Sequence, residues 1–175
     1  MRLTAVIFDL GNTLIRQQID DLVTLDQLTL EPIAGATEML SELRCRYKLG
    51  LLSNTRQSLE HHVRRALVKL GWDGVFEGVV TSVDVRSEKP AQIGFDRVLE
   101  LLNVAAADAV MVGNDMEADI LGGSRAGLRT VFFSCDDADW QAQRNSACQP
   151  DYVVHNLADL PFLLHSIEAS RLGGT

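Results

Sequence analysis

Six short apolar runs punctuate this chain, and segments of helical periodicity separate most of them. The runs are LTAVIF at 3–8, KLGLLS at 48–53, EGVVTS at 77–82, DAVMV at 108–112, RTVFF at 129–133 and the short YVV at 152–154. Each is too short for a buried helix and reads as a strand. Met39, Leu40, Leu43 and Tyr47 recur at helical spacing and predict a helix over 36–47. Leu59, Val63, Leu67 and Leu70 mark one face of a second helix, with Gly71 as its C-terminal stop. Pro90 suits the first turn of a third helix, which carries Ile93, Val98, Leu99 and Leu102. A short helix over 118–126 closed by Gly127, and a closing helix over 157–167, complete the pattern. Strands alternating with helices predict right-handed βαβ units: an α/β chain with a parallel sheet covered on both faces.

In such a sheet, ligands bind beyond the carboxyl ends of the strands, near the point where strand order reverses. The residues there are 9–13, 53–55, 88–89 and 113–119, and each segment carries groups that suit phosphate or metal. Asp9 follows the first strand and has the chemistry of a nucleophile, with Thr13 placed to orient it. Ser53 would donate its hydroxyl to a phosphate oxygen, and Asn54 and Thr55 would open the next helix, whose free N–H groups attract anions. Lys89, held extended by Pro90, would aim an ammonium at the ligand edge. Asn114, Asp115 and Asp119 offer hard oxygens of the kind Mg²⁺ takes. Taken singly, each has a plainer reading: a turn aspartate at 9, an N-cap at Ser53, a solvated Lys89, first-turn acids at 115 and 119. Four such segments at strand or loop ends argue together for phosphoryl transfer.

At these residues the chain resembles the haloacid dehalogenase superfamily. Phe8-Asp9-Leu10-Gly11-Asn12-Thr13-Leu14 resembles that family's first motif, Gly50-Leu51-Leu52-Ser53-Asn54 its second, and Glu88-Lys89-Pro90 its third. Val112-Gly113-Asn114-Asp115-Met116-Glu117-Ala118-Asp119-Ile120 resembles the acidic fourth. The resemblance implies a three-layer Rossmann-like sheet, Mg²⁺, and an aspartyl-phosphate formed on Asp9. It implies catalytic roles for Asp9, Thr13, Ser53 and Lys89, and phosphate binding by Ser53, Asn54 and Lys89. It implies a metal held by Asp9, the Gly11 carbonyl, Asn114 or Asp115, and Asp119.

Two departures stand out. Gly11 occupies the position where the family's phosphatases carry an aspartate as general acid and base, a loss that typically costs roughly 10²–10⁴-fold in rate. Asp20 and Asp21 are the nearby acids that could substitute. Asn114 stands where an aspartate is common, with Asp115 beside it, so the motif is either altered or shifted by one residue. Residues 15–33 leave room for one short helix near 20–30 but no substantial cap domain, so 1–175 reads as a single domain. An open site suits a phosphoprotein; closure by a neighbouring copy in a homo-oligomer would instead suit a small phosphorylated molecule.

Composition narrows the partners. A formal net charge of −8 repels nucleic-acid phosphates. No apolar run approaches the roughly 20 residues of a membrane span, and 3–8 is too short for a signal peptide, so the expectation is cytoplasmic. Cys45, Cys135 and Cys148 form no metal-binding pattern, and no role is assigned to His61, His62, His155 or His165. Residues 134–150, with Asp136, Asp137 and Asp139, form either a loop near the site or a solvated surface. The expected function is a Mg²⁺-dependent phosphoester hydrolase. The alternative is a catalytically impaired binding or regulatory protein on the same scaffold, supported by Gly11. Carbon–halogen or carbon–phosphorus cleavage is a third reading, weakened by the missing cap and, for the halide branch, by the acidic metal motif.

Overall fold

The computed structural model describes residues 3–16, 23–135, 141 and 148–169, and in it all six apolar runs are strands. They are β1 (Ala5–Phe8), β2 (Lys48–Ser53), β3 (Gly78–Thr81), β4 (Ala109–Gly113), β5 (Arg129–Phe133) and β6 (Tyr152–Val154). The helices around them are α1 (Ala36–Leu43), α2 (Glu60–Lys69), α3 (Ser82–Val85), α4 (Gln92–Leu102), α5 (Gly122–Arg125) and α6 (Leu160–Ala169). The strands form one parallel sheet in the order β3-β2-β1-β4-β5-β6.

The runs are apolar throughout because both faces of the sheet are covered. In β1, Val6 and Phe8 enter the core on one face while Ala5 and Ile7 enter the core on the other. The first face packs on α1, α2 and α6 through residues such as Met39, Leu40, Val63, Leu67 and Leu164. The second packs on α4 through Phe95, Val98, Leu99 and Leu102. Burying each of these side chains contributes roughly 1.5–3 kcal/mol. Contact over β2 is so close that a Cβ at Gly50 would lie 2.9 Å from both Val98 and Leu102, so only glycine fits there. The result is the expected three-layer Rossmann-like α/β fold, with no substantial cap among the described residues.

Several boundaries differ from the sequence reading. Helix α1 ends at Leu43 rather than 47, and Tyr47 is buried just before β2. Helix α2 begins at Glu60, so Asn54 and Thr55 do not open it. Thr55 is held out of a helix because its N–H donates to the Ser82 hydroxyl (3.0 Å), which donates back to the Thr55 carbonyl (2.8 Å). Pro90 lies in a turn closed by the Ala91 N–H on the Glu88 carbonyl, ahead of α4 rather than in its first turn. Ile93 is 51 % exposed. It sits two residues before Phe95, roughly 200° round the helix from the apolar stripe. The 118–126 helix starts earlier, as a wide π-helical stretch over Met116–Leu121 that runs into α5. The closing helix opens with a 3₁₀ turn, Leu157–Asp159, before α6. In the expected 20–30 helix, residues 20–22 lie outside the described residues. The remainder holds one 3₁₀ turn, Leu25–Gln27. No helix among the described residues is long and apolar enough to cross a membrane.

Candidate active site

Strand order reverses between β1 and β4, and the loops leaving these two strands meet at their carboxyl ends. Asp9 follows β1 directly and its N–H donates to the Val112 carbonyl, 2.9 Å away. Beyond it the chain turns tightly: Asn12 has φ +56, and the Leu10 carbonyl accepts from the N–H groups of Thr13, Leu14 and Ile15. Asparagine tolerates that left-handed conformation better than most residues. The turn carries Thr13 back under Asp9. Its fully buried hydroxyl lies 3.2 Å from both Asp9 Oδ2 and Asn114 Oδ1.

Lys89 reaches the same point from the turn before α4. Its Nζ donates to Asp9 Oδ1 (2.7 Å), Asp119 Oδ1 (2.6 Å) and the Leu52 carbonyl (2.8 Å). Burial works against the ammonium charge, but the carboxylates of Asp119 and Asp9 outweigh it and hold Lys89 well above the ordinary lysine range. The Asn54 side chain fixes the lysine's backbone. Asn54 Oδ1 accepts the Lys89 N–H at 2.8 Å, and Asn54 Nδ2 donates to the Lys89 carbonyl at 3.1 Å. Residues 35 apart in sequence give no signal of this clamp, so the sequence reading, which assigned Asn54 to phosphate, missed it.

Asp119 is 1 % exposed. Burial pushes its carboxyl up to about 7, with the Lys89 charge opposing and the Asp9 charge adding to the rise. Its Oδ2 accepts the Asp115 N–H at 3.0 Å. The side chain folds so closely over β4 that a Cβ at Gly113 would meet Asp119 Oδ2 at 2.2 Å, so glycine is required there. Asp115 is turned differently: its Oδ1 accepts the N–H groups of Glu117 and Ala118, both at 2.8 Å, and caps the helix that follows. The side chain that meets Thr13 is that of Asn114.

Asp9, Gly11, Ser53, Asn54, Lys89, Asn114, Asp115 and Asp119 all line one cavity of about 450 Å³. Every predicted site residue is thus at this cavity, Thr13 through its contact with Asp9. Asp20, Asp21, Asp136, Asp137 and Asp139 lie outside the described residues. Comparison with known proteins gives the family. The family model of haloacid dehalogenase-like hydrolases matches residues 13–133. The chain belongs to this family.

Among its relatives, N-acylneuraminate-9-phosphatase of Rattus norvegicus is 34 % identical over 145 residues, covering 82 % of this chain and 55 % of the relative. Ribulose-1,5-bisphosphate 5-phosphatase of Halopiger xanaduensis is 32 % identical, covering 80 % and 59 %. The chain spans little more than half the length of these curated relatives. Among solved structures, an uncharacterised protein of Listeria monocytogenes superposes with a TM-score of 0.79 at 31 % identity, over 94 % of this chain and 99 % of that one. The putative HAD-hydrolase YfnB of Bacillus subtilis, bound to magnesium, superposes with a TM-score of 0.76 at 19 % identity, over 94 % and 99 %. The latter shares the fold.

The residues present fit a divalent cation of the hard class that this family implies. Two buried carboxyl groups face a single ammonium, and an added cation would favour the charged form of both. Among the described residues no cluster of three or more His, Cys, Asp or Glu side chains is arranged around one point. Carboxylate and neutral oxygens together are donors of the kind Mg²⁺ accepts when water completes its shell. Asp119, beside Asp9 on Lys89, takes that ammonium on Oδ1 and the Asp115 N–H on Oδ2.

Proposed function

We propose that this chain is a Mg²⁺-dependent phosphohydrolase acting on small phosphorylated molecules, with Asp9 as nucleophile. The observation that carries the reading is Asp9 itself: 8 % exposed, gripped by Lys89 and Thr13, and lining a cavity large enough for a ligand. An Asp9 oxygen attacks phosphorus, and the bond to the leaving oxygen breaks as the bond to Asp9 forms. Water then cleaves the aspartyl-phosphate, releasing phosphate and restoring the carboxylate. Lys89 balances charge on the phosphoryl oxygens and Ser53 donates its hydroxyl to them. Asn54 acts by holding Lys89 in place. Asp9, the Gly11 carbonyl and Asn114 would hold Mg²⁺, with the second oxygen of Asp115 within the same loop. The ion, when bound, screens the repulsion between the Asp9 carboxylate and the phosphate dianion.

Gly11 brings no acid to the leaving oxygen, so esters with good leaving groups are turned over fastest. The names of the relatives, phosphatases of small sugar phosphates among them, support a small substrate over a phosphoprotein. The glycine also favours the alternative of a binding protein with little turnover. Hydrolysis of p-nitrophenyl phosphate with and without Mg²⁺ separates the two. Turnover that needs the metal and vanishes in Asp9→Asn is expected, and Gly11→Asp gains on poorer leaving groups. Mg²⁺ and phosphate binding without turnover would transfer the assignment to the binding protein.

A further inference from the structure

The cavity that begins at Asp9 and Lys89 does not end at the phosphate position. Its lining also includes Val23, Leu25, Leu28 and Leu30, together with Leu10 and Ile15. Its 450 Å³ falls within the roughly 300–1,000 Å³ of small-molecule sites. The four residues at 23–30 are only half-buried, and Val23 and Leu28 lie outside the main core cluster that Leu25 and Leu30 join. All four line the cavity and keep surface that the core does not cover.

This wall is fixed before any ligand arrives. The Leu25 N–H donates to Ser58 Oγ at 2.8 Å, and Arg65 Nε donates to Asp26 Oδ2 at 2.6 Å. Lys69 Nζ donates to the Asp26 carbonyl, and the Thr24 hydroxyl to Asp26 Oδ1. The segment is thus tied to α2 and to the loop at 54–58. That loop is itself held by Ser82. A preformed apolar surface contributes binding energy without an ordering cost.

We propose that residues 23–30 form an apolar subsite that selects phosphomonoesters whose organic half carries an alkyl chain. The inference rests on the phosphohydrolase reading of the Asp9 end, since that end anchors the phosphate. The chain would lie on Val23, Leu25 and Leu28, and the polar residues 55–58 would stay opposite it.

Alkylphosphonates test this, because their phosphorus–carbon bond survives a phosphoester hydrolase. Calorimetric titration of the full chain with methyl-, butyl- and hexylphosphonate, in Mg²⁺, reads the affinity of each. Affinity should rise roughly twofold per methylene, short of the fourfold of full burial. In Leu28→Ser the hexyl-to-methyl ratio should fall by about threefold or more. Val23→Ser serves the same purpose if the first variant does not fold. A flat series in the wild type, with methylphosphonate and inorganic phosphate both bound, overturns the subsite and leaves the phosphate site standing. A wild-type slope retained in both folded variants overturns its assignment to this wall. Binding of neither methylphosphonate nor inorganic phosphate overturns the phosphohydrolase reading and this inference with it.

Discussion

Lys89 is a buried ammonium shared by the carboxyl groups of Asp9 and Asp119. Removing the ammonium takes their shared partner from both Asp9 and Asp119. Removing Asp119 leaves Lys89 paired with Asp9 and still bonded to the Leu52 carbonyl. Breaking a buried pair by deleting one partner costs about 3–5 kcal/mol. Lys89→Met should incur that full loss in urea unfolding, and Asp119→Asn a clearly smaller one. Equal losses would mean that the cluster depends no more on the ammonium than on Asp119. The same residues show how far single positions are legible. An aspartate after a strand and a lysine before a proline can be recognised one at a time. The contact between them cannot, because 80 residues separate them.

At the scale of elements, the least expected piece is the 3₁₀ turn Leu25–Gln27 docked on α2. Spacing at 15–33 excludes a large cap but says nothing of where so short a segment settles. Its position depends on Asp26. The Thr24 hydroxyl, followed by the Arg65 guanidinium, holds the Asp26 carboxyl down at about 2. A carboxylate depressed in the folded state stabilises above its unfolded pKa, here 3.8, and that contribution is lost as pH falls through about 2. Arg65 is more than half exposed, so screening keeps the pair to about 1 kcal/mol or less. Asp26→Asn should therefore unfold at slightly lower urea than the wild type at pH 7. The gap should narrow below pH 4 and close near pH 2. A gap independent of pH would show that the turn is held by its neutral hydrogen bonds alone.

Over the whole molecule, a formal charge of −8 sets what can approach. The cation at the centre of the site is buried and internally paired, so it presents no basic surface to a polyanion. Fluorescence anisotropy with duplex DNA should show no association at 150 mM salt. Lowering the salt should not create any, because the far-field term is repulsive rather than merely weak. Binding that strengthens as salt is removed would reveal a basic patch that net charge conceals.

The sequence by itself determined the layers and which polar residues stand at the strand ends. Six apolar runs between amphipathic segments admit few arrangements other than a covered parallel sheet, and polar residues at the strand ends mark the edge where ligands bind. These are local properties, written in periods of a few residues. Tertiary structure alone decided which neighbour does what. Asn114, not Asp115, meets Thr13, while an Asp115 oxygen is taken by the N–H groups of its own helix. Asn54 grips Lys89 because Thr55 is drawn out of a helix by Ser82. Residues 23–30 become a wall because α2 supplies their partners. Each outcome depends on competition between hydrogen-bond partners far apart in the chain, which spacing along one segment does not encode.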